Sequence, residues 1–487
     1  MAQDKVATDR APIRRQPSAA HLLLALVTVA AVAWLAYAPI RGAYFRHDDF
    51  AWLAAAQHWM EGTRSLADGH LGVTVAYNLW FRTAYQLWGL NPRPYFTILL
   101  LCHTLNSCLV VLLIWLLTRQ MLAAWFGGLC FAVLFSHHEA TTWVAASPHS
   151  FAALWILAAV ICWVVYRNGR AWCLPLSVAF TLLAVFTKDS GVAVLPVLLA
   201  LELTWFRDRS KRPLVWHAGV YVLLVLWRVC LPPLTDPIVA GSADYRPGLH
   251  MLYNAVYGVP QILVPDLRFE NYLALLQSVL PDAAVGAALV VGHVAIVLIT
   301  VLALWGLWRG STMVRFGILW CYLSFLPFLP FSYEYARAPR YLYIPSIGVA
   351  LLAGLLVQGV AARLKPGLSA RKLAAVAVAV AYLAGSFGFA RLVCSNRVRD
   401  SRMRQSIVQQ VTSHVPVASA GEVFWLCGLP RHLEDVRKAI PLYYPQPVNA
   451  RVSCAVPPPG AYFFRFDPTS PASLIEFRRV PEPSLFP

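Results

Sequence analysis

Residues 20–50, AHLLLALVTVAAVAWLAYAPIRGAYFRHDDF, decide the fold, because a long apolar run ends there in a cluster of charged side chains. A helix needs about 20 apolar residues to cross a bilayer core, and residues 20–39 provide them. This run exceeds the apolar core of about 7–15 residues found in a cleaved signal peptide, so we expect an uncleaved anchor. Asp48 and Asp49 follow close behind it, where they either cap a helix or take part in chemistry.

The whole chain has the composition of a membrane protein. Of its 487 residues, 59% are hydrophobic and 13% are charged, whereas soluble domains carry about 25% charged residues. The formal net charge is +17, but the basic residues are spread between apolar runs, as membrane topology requires. We therefore expect membrane lipid and no nucleic acid among the partners. The preference for Arg over Lys and the abundance of Ala favour a bacterial source, and hence the inner (plasma) membrane.

Apolar runs of similar length recur along the first four fifths of the chain, which indicates an all-α polytopic membrane protein. The third, fifth and ninth of the runs given below are short. About eleven membrane-spanning helices are predicted, at residues 20–39, 95–117, 122–136, 149–166, 171–187, 190–206, 214–231, 284–305, 316–331, 342–362 and 373–391.

The loops between these runs are of two alternating kinds. One set is short and rich in Arg and Lys, and the other, which includes 40–94 and 232–283, is mostly longer and poor in basic residues. Basic loops stay in the cytoplasm, so residues 1–19 are predicted to be a cytoplasmic tail, and 40–94 and 232–283 are predicted to be external loops. The polar motifs then share the external side, where they can meet. Residues 50–60 and 249–264 are predicted to be amphipathic helices on that face.

The chain changes character after the last apolar run. It divides into a transmembrane domain, residues 20–391, and a small extracytoplasmic α/β domain, residues 392–487. The tail contains three strand-like segments, VFWLCGLP, VNARVSCAV and AYFFRFD, and a helix-like segment, LEDVRKAI. An odd number of spans places this domain in an oxidising compartment, in which Cys427 and Cys454 are able to pair.

Asp48 and Asp49 are the first candidates for catalysis. Asp is a favoured N-cap residue, so a helix that starts near Phe50 explains either of them. Adjacent residues do not share a helix face, so one carboxylate can cap while the other reacts. In a cleft at the membrane edge, repulsion and desolvation raise the pKa of one carboxylate and make it a usable general base. We favour Asp48 as the base, because Asp49 is better placed to cap.

The segment SHHEATTW contributes His137, His138 and Glu139. Two histidines and a carboxylate suggest a metal site, but adjacent histidines are poorly spaced for joint ligation, unlike the i, i+4 pair of a zinc helix. Satisfied polar groups at a helix end are the favoured explanation. The sequence requires no cofactor, and a divalent metal is an open alternative.

Two more segments place charge close to apolar runs, which is unfavourable unless the groups are paired or used. In TKDSG, Lys188 can hold a phosphate as a point charge, or it pairs with Asp189, which then caps the next helix. In YEYARAPRYLYIPS, Arg337 and Arg340 offer guanidinium forks, which bind phosphate in a bidentate manner. An aromatic belt with snorkelling arginines explains the same pattern.

Taken in order, these motifs resemble those of a known family. FRHDD is similar to an aromatic-x-x-Asp-Asp motif in a first external loop, and YNLWFRTAYQLWGLNPRPYFTILLLCHTLNSCLVVLL is similar to the block that follows it. LFSHHEATTWVAASPHSFAAL, FTKDSGVAVLPVLL and RYLYIPSIGVALL are similar to three later blocks. From about residue 40 to 360, the chain resembles the transmembrane and tetratricopeptide-repeat O-mannosyltransferases and their bacterial relatives that lack the repeats, within the GT-C superfamily of glycosyltransferases.

The resemblance implies a GT-C fold and the transfer of a sugar from a polyprenyl-phosphate donor to an acceptor hydroxyl on the extracytoplasmic face, with inversion. Members of the family use a first-loop Asp as base, a role that Asp48 or Asp49 inherits. Lys188, Arg337 or Arg340 then stabilises the charge on the lipid phosphate as it leaves. The supporting residues in the matching blocks are His137, His138, Glu139 and Asp189.

The sequence departs from the family pattern at three places. Ser136-His137 stands for the usual His-Pro, Ser147-Pro148-His149 for Arg-Lys-Asp, and Pro339 for an acidic residue. The donor sugar is therefore open, as is the acceptor, which is a protein Ser or Thr, a glycan or a lipid. Two alternatives to the enzyme remain. A lipid-linked sugar transporter or flippase predicts paired inverted repeats with broken helices, and a non-catalytic glycan-assembly subunit keeps the fold without the chemistry.

Overall fold

The structure is a computed structural model, and it describes residues 19–63, 65, 74–230, 247–264, 273, 277, 281–332, 336, 338–363 and 370–481. The described helices are α1 (Ala19–Tyr37), α2 (Asp49–Met60), α3 (Val75–Trp88), α4 (Pro92–Thr118), α5 (Met121–Val133), α6 (His138–Thr142), α7 (Pro148–Arg167), α8 (Cys173–Thr187), α9 (Val194–Thr204), α10 (Leu214–Cys230), α11 (His250–Gly258), α12 (Asp282–Arg309), α13 (Thr312–Phe325), α14 (Ser346–Arg363), α15 (Ala370–His414) and α16 (Val436–Ala439). The strands are β1 (Val423–Cys427), β2 (Asn449–Val452), β3 (Tyr462–Phe466) and β4 (Leu474–Arg479).

The apolar runs form helices, but not all of these helices are long enough to cross a membrane. In the described part of the chain, six helical segments are long and apolar enough, and a seventh is if one bent pair counts as a single span. The pair is Met121–Val133 with Phe135–Thr142, whose axes differ by 48°. Leu134 between them has an extended backbone, which breaks the helix. The chain is therefore an integral membrane protein by the length and composition of its helices.

The eleven predicted spans are not confirmed as such. The runs at 171–187, 214–231 and 316–331 form shorter apolar helices. The run at 190–206 forms a 3-10 turn followed by the 11-residue α9. Apolar composition alone does not report where a helix bends or stops, and six or seven full-length candidate spans are found among the described residues.

Helix α2 lies in the first predicted external loop and confirms the helix expected at 50–60. Phe50, Leu53 and Trp59 recur at a spacing of three or six residues and are all buried, so one face of α2 packs against the protein. The second loop helix, expected at 249–264, is α11 followed by a 3-10 turn. Each of the two predicted loop segments therefore contains a helix.

Small residues let α5 and α14 approach each other closely. A Cβ added at Gly127 in α5 would lie 2.7 Å from the carbonyl oxygen of Ala350 in α14, and one added at Gly354 in α14 would collide with the carbonyl group of Ala123 in α5. Such small-residue contacts are how membrane helices pack without a hydrophobic driving force. Because α5 leads into SHHEATTW and α14 follows RYLYIPS, this contact holds two polar segments together.

A buried hydrogen-bond network joins α4 to the segment before α14. The Tyr343 hydroxyl lies 2.8 Å from His103 Nδ1 and accepts from Asn106 Nδ2 at 3.1 Å. His103 Nε2 lies 3.0 Å from the carbonyl oxygen of Ala132, and Asn106 also donates to the carbonyl oxygen of Ser150 at 2.9 Å. Buried polar groups are unfavourable unless they are paired, so these residues of LCHTLNS and RYLYIPS serve the fold.

The C-terminal part begins on a long helix and ends in a mixed sheet. Helix α15 runs without a break from Ala370 to His414, so the domain boundary predicted between residues 391 and 392 lies inside a helix. The strand order is β2-β1-β3-β4, with β1 parallel to β2 and β3, and β4 antiparallel to β3. The sheet confirms the predicted α/β character of the tail.

Details of the tail differ from the prediction in two respects. The helix expected at LEDVRKAI is the four-residue α16, which follows a 3-10 turn at Arg431–Leu433. The structure contains a fourth strand, β4, which the sequence patterns do not predict. Cys427, at the end of β1, forms a disulfide with Cys454, which confirms that these two cysteines pair.

Candidate active site

Asp49 is the first residue of α2 and is fully buried. Its Oδ2 accepts the backbone N–H of Arg46 at 3.0 Å, and its Oδ1 accepts the backbone N–H of Ala145 at 2.6 Å. Ala145 belongs to the segment between α6 and α7, so the carboxylate ties the first loop to that segment. Burial raises the pKa of Asp49 to about 7, although the two backbone amides and the charge of Arg46 oppose the shift.

Asp48 occupies the N-cap position of α2, but its side chain makes no capping hydrogen bond in the described part of the chain. The prediction that Asp49 caps the helix at Phe50 is wrong, because its carboxylate binds two amides outside the helix. Asp48 is exposed. Asp48 and Asp49 are called the Asp pair below. Asp48 is the member of the pair that a substrate is able to reach.

Arg46 lies beside the Asp pair with only 5% of its surface exposed. Its Cζ is 5.1 Å from the centroid of the Trp143 ring, and among the described residues its Nε and Nη2 have no hydrogen-bond partner. Burial, and after it the charge of Arg397, lowers the pKa of Arg46 to about 9, so the side chain stays protonated at neutral pH. A buried cation is unfavourable unless it is paired, so this guanidinium group is suited to receive an anion.

Arg340 lies against the same indole ring. Its Cζ is 5.4 Å from the Trp143 centroid, its Nη1 donates to Glu139 Oε2 at 3.1 Å, and its Nη2 donates to the Tyr341 hydroxyl at 3.4 Å. Burial lowers the pKa of Arg340, but Tyr341 and Glu139 outweigh it, so the pKa is raised. The carboxylate–arginine cluster, as it is called below, consists of the Asp pair, Arg46, Arg340 and Glu139.

His137 and His138 serve the local fold. His137 Nε2 lies 2.6 Å from Ser346 Oγ, and His138 Nδ1 lies 2.9 Å from the carbonyl oxygen of Phe135. Within the described ranges, no group of three or more His, Cys, Asp and Glu side chains is arranged to hold a metal ion.

Lys188 and Asp189 form an ion pair with 3.6 Å between Nζ and Oδ2, and their side chains are 17% and 38% exposed. The expected cap by Asp189 is not found, since the N-cap residues of the 3-10 turn at Asp189–Ala193 and of α9 are Lys188 and Ala193. His149 interacts electrostatically with both Lys188 and Arg340, and its ring lies 5.3 Å from that of Tyr341. The TKDSG segment therefore lies near the carboxylate–arginine cluster.

Arg337 lies outside the described residues, so its contact with a phosphate stays a prediction. Arg46 and Trp143 are site residues that the sequence patterns do not single out. Trp is the best partner for a guanidinium group, but Trp143 is almost a hundred residues from Arg46, so no local sequence pattern links the two.

The carboxylate–arginine cluster combines two chemical capacities at one end of the helical bundle. Asp48 is an exposed carboxylate and is able to accept a proton. Arg46 and Arg340 are buried cations against one indole, and they are able to bind an anion with several oxygen atoms.

No protein-family model matches the chain, and no curated protein matches it. Among solved structures, the chain is similar to an oligosaccharyltransferase from Archaeoglobus fulgidus, crystallised with a disulfide-tethered acceptor peptide that contains the NVT sequon. The TM-score is 0.45 and the sequence identity is 11%. The match covers 88% of this chain and 64% of the archaeal chain, so this chain spans less than two thirds of that length. Similarity of this degree does not define a function.

Proposed function

We propose that the protein is a polytopic membrane glycosyltransferase of the GT-C type, similar to the O-mannosyltransferases, that moves a hexose from a polyprenyl-phosphate donor to an acceptor hydroxyl with inversion. One observation carries this proposal. The carboxylate–arginine cluster sets the exposed Asp48 beside Arg46, whose guanidinium group has two donors without a partner among the described residues. A base for the hydroxyl and a cation for the leaving phosphate are the two groups that such a transfer needs.

In the proposed reaction, Asp48 takes the proton of the acceptor hydroxyl while the hydroxyl oxygen attacks the anomeric carbon of the sugar. Attack comes from the face opposite the lipid phosphate, so the configuration inverts. The bond between the anomeric carbon and the phosphate oxygen breaks, and the lipid phosphate leaves with the electron pair. Arg46 and Arg340, with Lys188 and Arg337 as further cations, stabilise the charge on that phosphate.

The two acidic residues of the loop take different roles in this proposal. Asp48 is the base, as the sequence favours, because it is the exposed carboxylate. Asp49 holds the loop against Ala145 through its second oxygen. Glu139 orients Arg340 through their hydrogen bond of 3.1 Å, and His137, His138 and Asp189 support the segments around the cluster.

The site faces the extracytoplasmic side of a bacterial inner membrane in this proposal, because the basic loops remain in the cytoplasm. A polyprenyl-phosphate donor fits a site at the end of a membrane bundle, since the polyprenyl tail stays in lipid and only the phosphate and sugar reach the cluster. The acceptor partner is a protein Ser or Thr, as in the O-mannosyltransferases, or a hydroxyl of a glycan or lipid.

The test uses membranes that contain the protein, incubated with labelled polyprenyl-phosphate mannose or another hexose. Label is counted in the protein, glycan and lipid fractions for the wild type, Asp48→Asn and Glu61→Gln. We expect Asp48→Asn to lose transfer by at least about 100-fold. Glu61 is the matched control, because it lies just after α2 and makes a surface ion pair with His58 at 3.6 Å. Equal transfer by Asp48→Asn and wild type at equal expression would contradict the base assignment.

The same membranes distinguish the two alternatives. A transporter or flippase moves labelled lipid-linked sugar across the membrane without forming product. An assembly subunit binds the labelled lipid-linked sugar but neither moves it nor forms product. Transporters bind their substrates near the middle of the membrane. The buried ion pair Arg167–Glu202 instead joins the last residue of α7 to a residue near the end of α9, which favours the transferase.

A further inference from the structure

The C-terminal part of the chain contacts the first external loop on both sides of the Asp pair. Before the pair, the Tyr44 N–H donates to Ser401 Oγ at 2.9 Å, and the hydroxyl groups of Tyr44 and Tyr443 lie 2.7 Å apart. After the pair, the Gln57 side chain in α2 donates to the carbonyl oxygen of Leu442 at 3.5 Å. The loop that carries the Asp pair is therefore bound to α15 and to the sheet domain.

Asp435 makes the contact nearest to the Asp pair. Its Oδ2 accepts the backbone N–H of His47 at 2.7 Å and lies 3.2 Å from His47 Nδ1. Burial lowers the pKa of His47 to about 4, so at neutral pH the ring is neutral and its contact with Asp435 is not an ion pair. Asp435 therefore holds the backbone of the residue before the Asp pair.

His47 needs such support because of its backbone conformation. Its φ of 50° is in the left-handed region, which residues other than Gly rarely adopt. Unfavourable backbone conformations persist only where the surrounding structure enforces them. A charged acceptor on the His47 N–H is a strong constraint of this kind. Without it, the chain before Asp48 is free to take a more ordinary conformation and to turn the Asp48 side chain elsewhere.

Asp435 is itself fixed by Arg404 of α15. Arg404 Nε lies 3.0 Å from each carboxylate oxygen of Asp435, and its Nη2 donates to the carbonyl oxygen of His432 at 2.5 Å. The side chains of Arg404 and Asp435 are 4% and 9% exposed, so water competes little for these bonds. The last long helix is thus connected through two buried side chains to the backbone that precedes Asp48.

We propose that Asp435 is a positioning residue, which acts through His47 to hold Asp48 in the orientation that catalysis requires. The C-terminal domain then completes the active site, although it lies outside the part of the chain that resembles the O-mannosyltransferases. The role of Asp48 rests on the proposed function, whereas the constraint on the loop does not depend on it. Asp49 is held from the other side by Ala145, so the Asp pair lies between two anchors.

The first test is hydrogen exchange, measured by mass spectrometry on the full-length protein in detergent. In Asp435→Ala we expect the amides of residues 46–50 to exchange at least about tenfold faster than in the wild type, while strands β1 and β3 are unchanged. Glu434→Ala is the matched control, because Glu434 is the adjacent acid and is exposed. Wild-type exchange at residues 46–50 in Asp435→Ala would overturn the proposal.

Two further variants keep this test decisive. Asp435→Ala leaves Arg404 buried without its partner, which can prevent folding. The double variant Asp435→Ala with Arg404→Leu removes both charges, and it is expected to show the same faster exchange. Asp435→Asn keeps an oxygen acceptor for the His47 N–H, so it is expected to recover most of the protection. Unchanged exchange in the double variant counts against the proposal in the same way.

The second test measures transfer kinetics in the same variants. A misplaced base predicts a kcat about 100-fold lower in Asp435→Ala, a KM for the donor that changes little, and partial recovery in Asp435→Asn. A wild-type kcat together with faster loop exchange would overturn the positioning role. If the wild-type protein itself transfers no sugar, the proposed function fails, and the exchange experiment still decides whether Asp435 holds the loop.

Discussion

Replacing Asp48 and Asp49 by Asn, one at a time, separates catalysis from anchoring of the first loop. Asp48 is exposed and makes no capping hydrogen bond within the described residues. Asp48→Asn therefore removes a charge without breaking a buried contact, and the free energy of unfolding should change by less than about 0.5 kcal/mol. Transfer should fall by about 10²–10⁴-fold, which is the usual contribution of a general base.

Asp49→Asn should show the opposite pattern. Both oxygens of the buried carboxylate accept backbone N–H groups, from Arg46 at 3.0 Å and from Ala145 at 2.6 Å. An Asn side chain has one oxygen, so its NH₂ group must face one of these N–H donors and leave it without an acceptor. At about pH 4, where the buried carboxyl is neutral, an unsatisfied buried donor lowers the free energy of unfolding by about 1–3 kcal/mol, and transfer falls because the loop shifts.

The assay combines thermal unfolding in detergent with transfer from labelled polyprenyl-phosphate sugar, at equal amounts of folded protein. The expected result is an unchanged Tm with lost transfer for Asp48→Asn, and a lower Tm for Asp49→Asn when unfolding is measured at about pH 4. Full transfer in Asp48→Asn, with none in Asp49→Asn at an unaltered Tm, would refute the division of roles and make Asp49 the base.

Three further predictions follow from buried charge and from the disulfide. The pKa of Asp49 is raised to about 7 from an ordinary 3.8, so up to about 4 kcal/mol of stability that is present below pH 4 should be lost as the pH rises to 7. The free energy of unfolding, measured between pH 4 and 8, should fall with rising pH in the wild type and not in Asp49→Asn. Arg46→Gln should raise the KM for the donor at least about tenfold, whereas the exposed Arg431→Gln should not; equal KM values would contradict the anion site. Cys427→Ala should destabilise the sheet domain by about 3–4 kcal/mol, seen as faster exchange in β1 and β3, with the exposed free cysteine variant Cys230→Ala as control.

Much of the membrane part could be predicted from the sequence because its signals are local. Runs of apolar residues give the helices, and charged residues at their ends give the motifs that meet in the structure. The number of full spans could not be predicted in the same way. The bend at Leu134 depends on one residue with an extended backbone, and it leaves the apolar composition of the run unchanged.

The carboxylate–arginine cluster was only partly predictable for a related reason. Asp48, Asp49 and Arg340 stand in motifs, so their sequence context points to them. The importance of Asp435 depends on a contact with His47, which is 388 residues away. A tertiary contact over this distance leaves no periodic pattern or spacing in the sequence. The continuation of α15 beyond residue 391 was not predictable either, because the apolar run ends there while the helix continues.

The continuous helix α15 fixes where the C-terminal domain can lie. Its 45 residues extend about 67 Å, about twice the thickness of a bilayer core. Inserting one residue between 391 and 401 would turn everything after it by about 100° and move it by about 1.5 Å, so Arg404 and Asp435 would no longer face the first loop. Helix α15 therefore sets both the distance and the rotation of the C-terminal domain relative to the first loop. It tolerates substitutions on its exposed surface but neither insertions nor deletions.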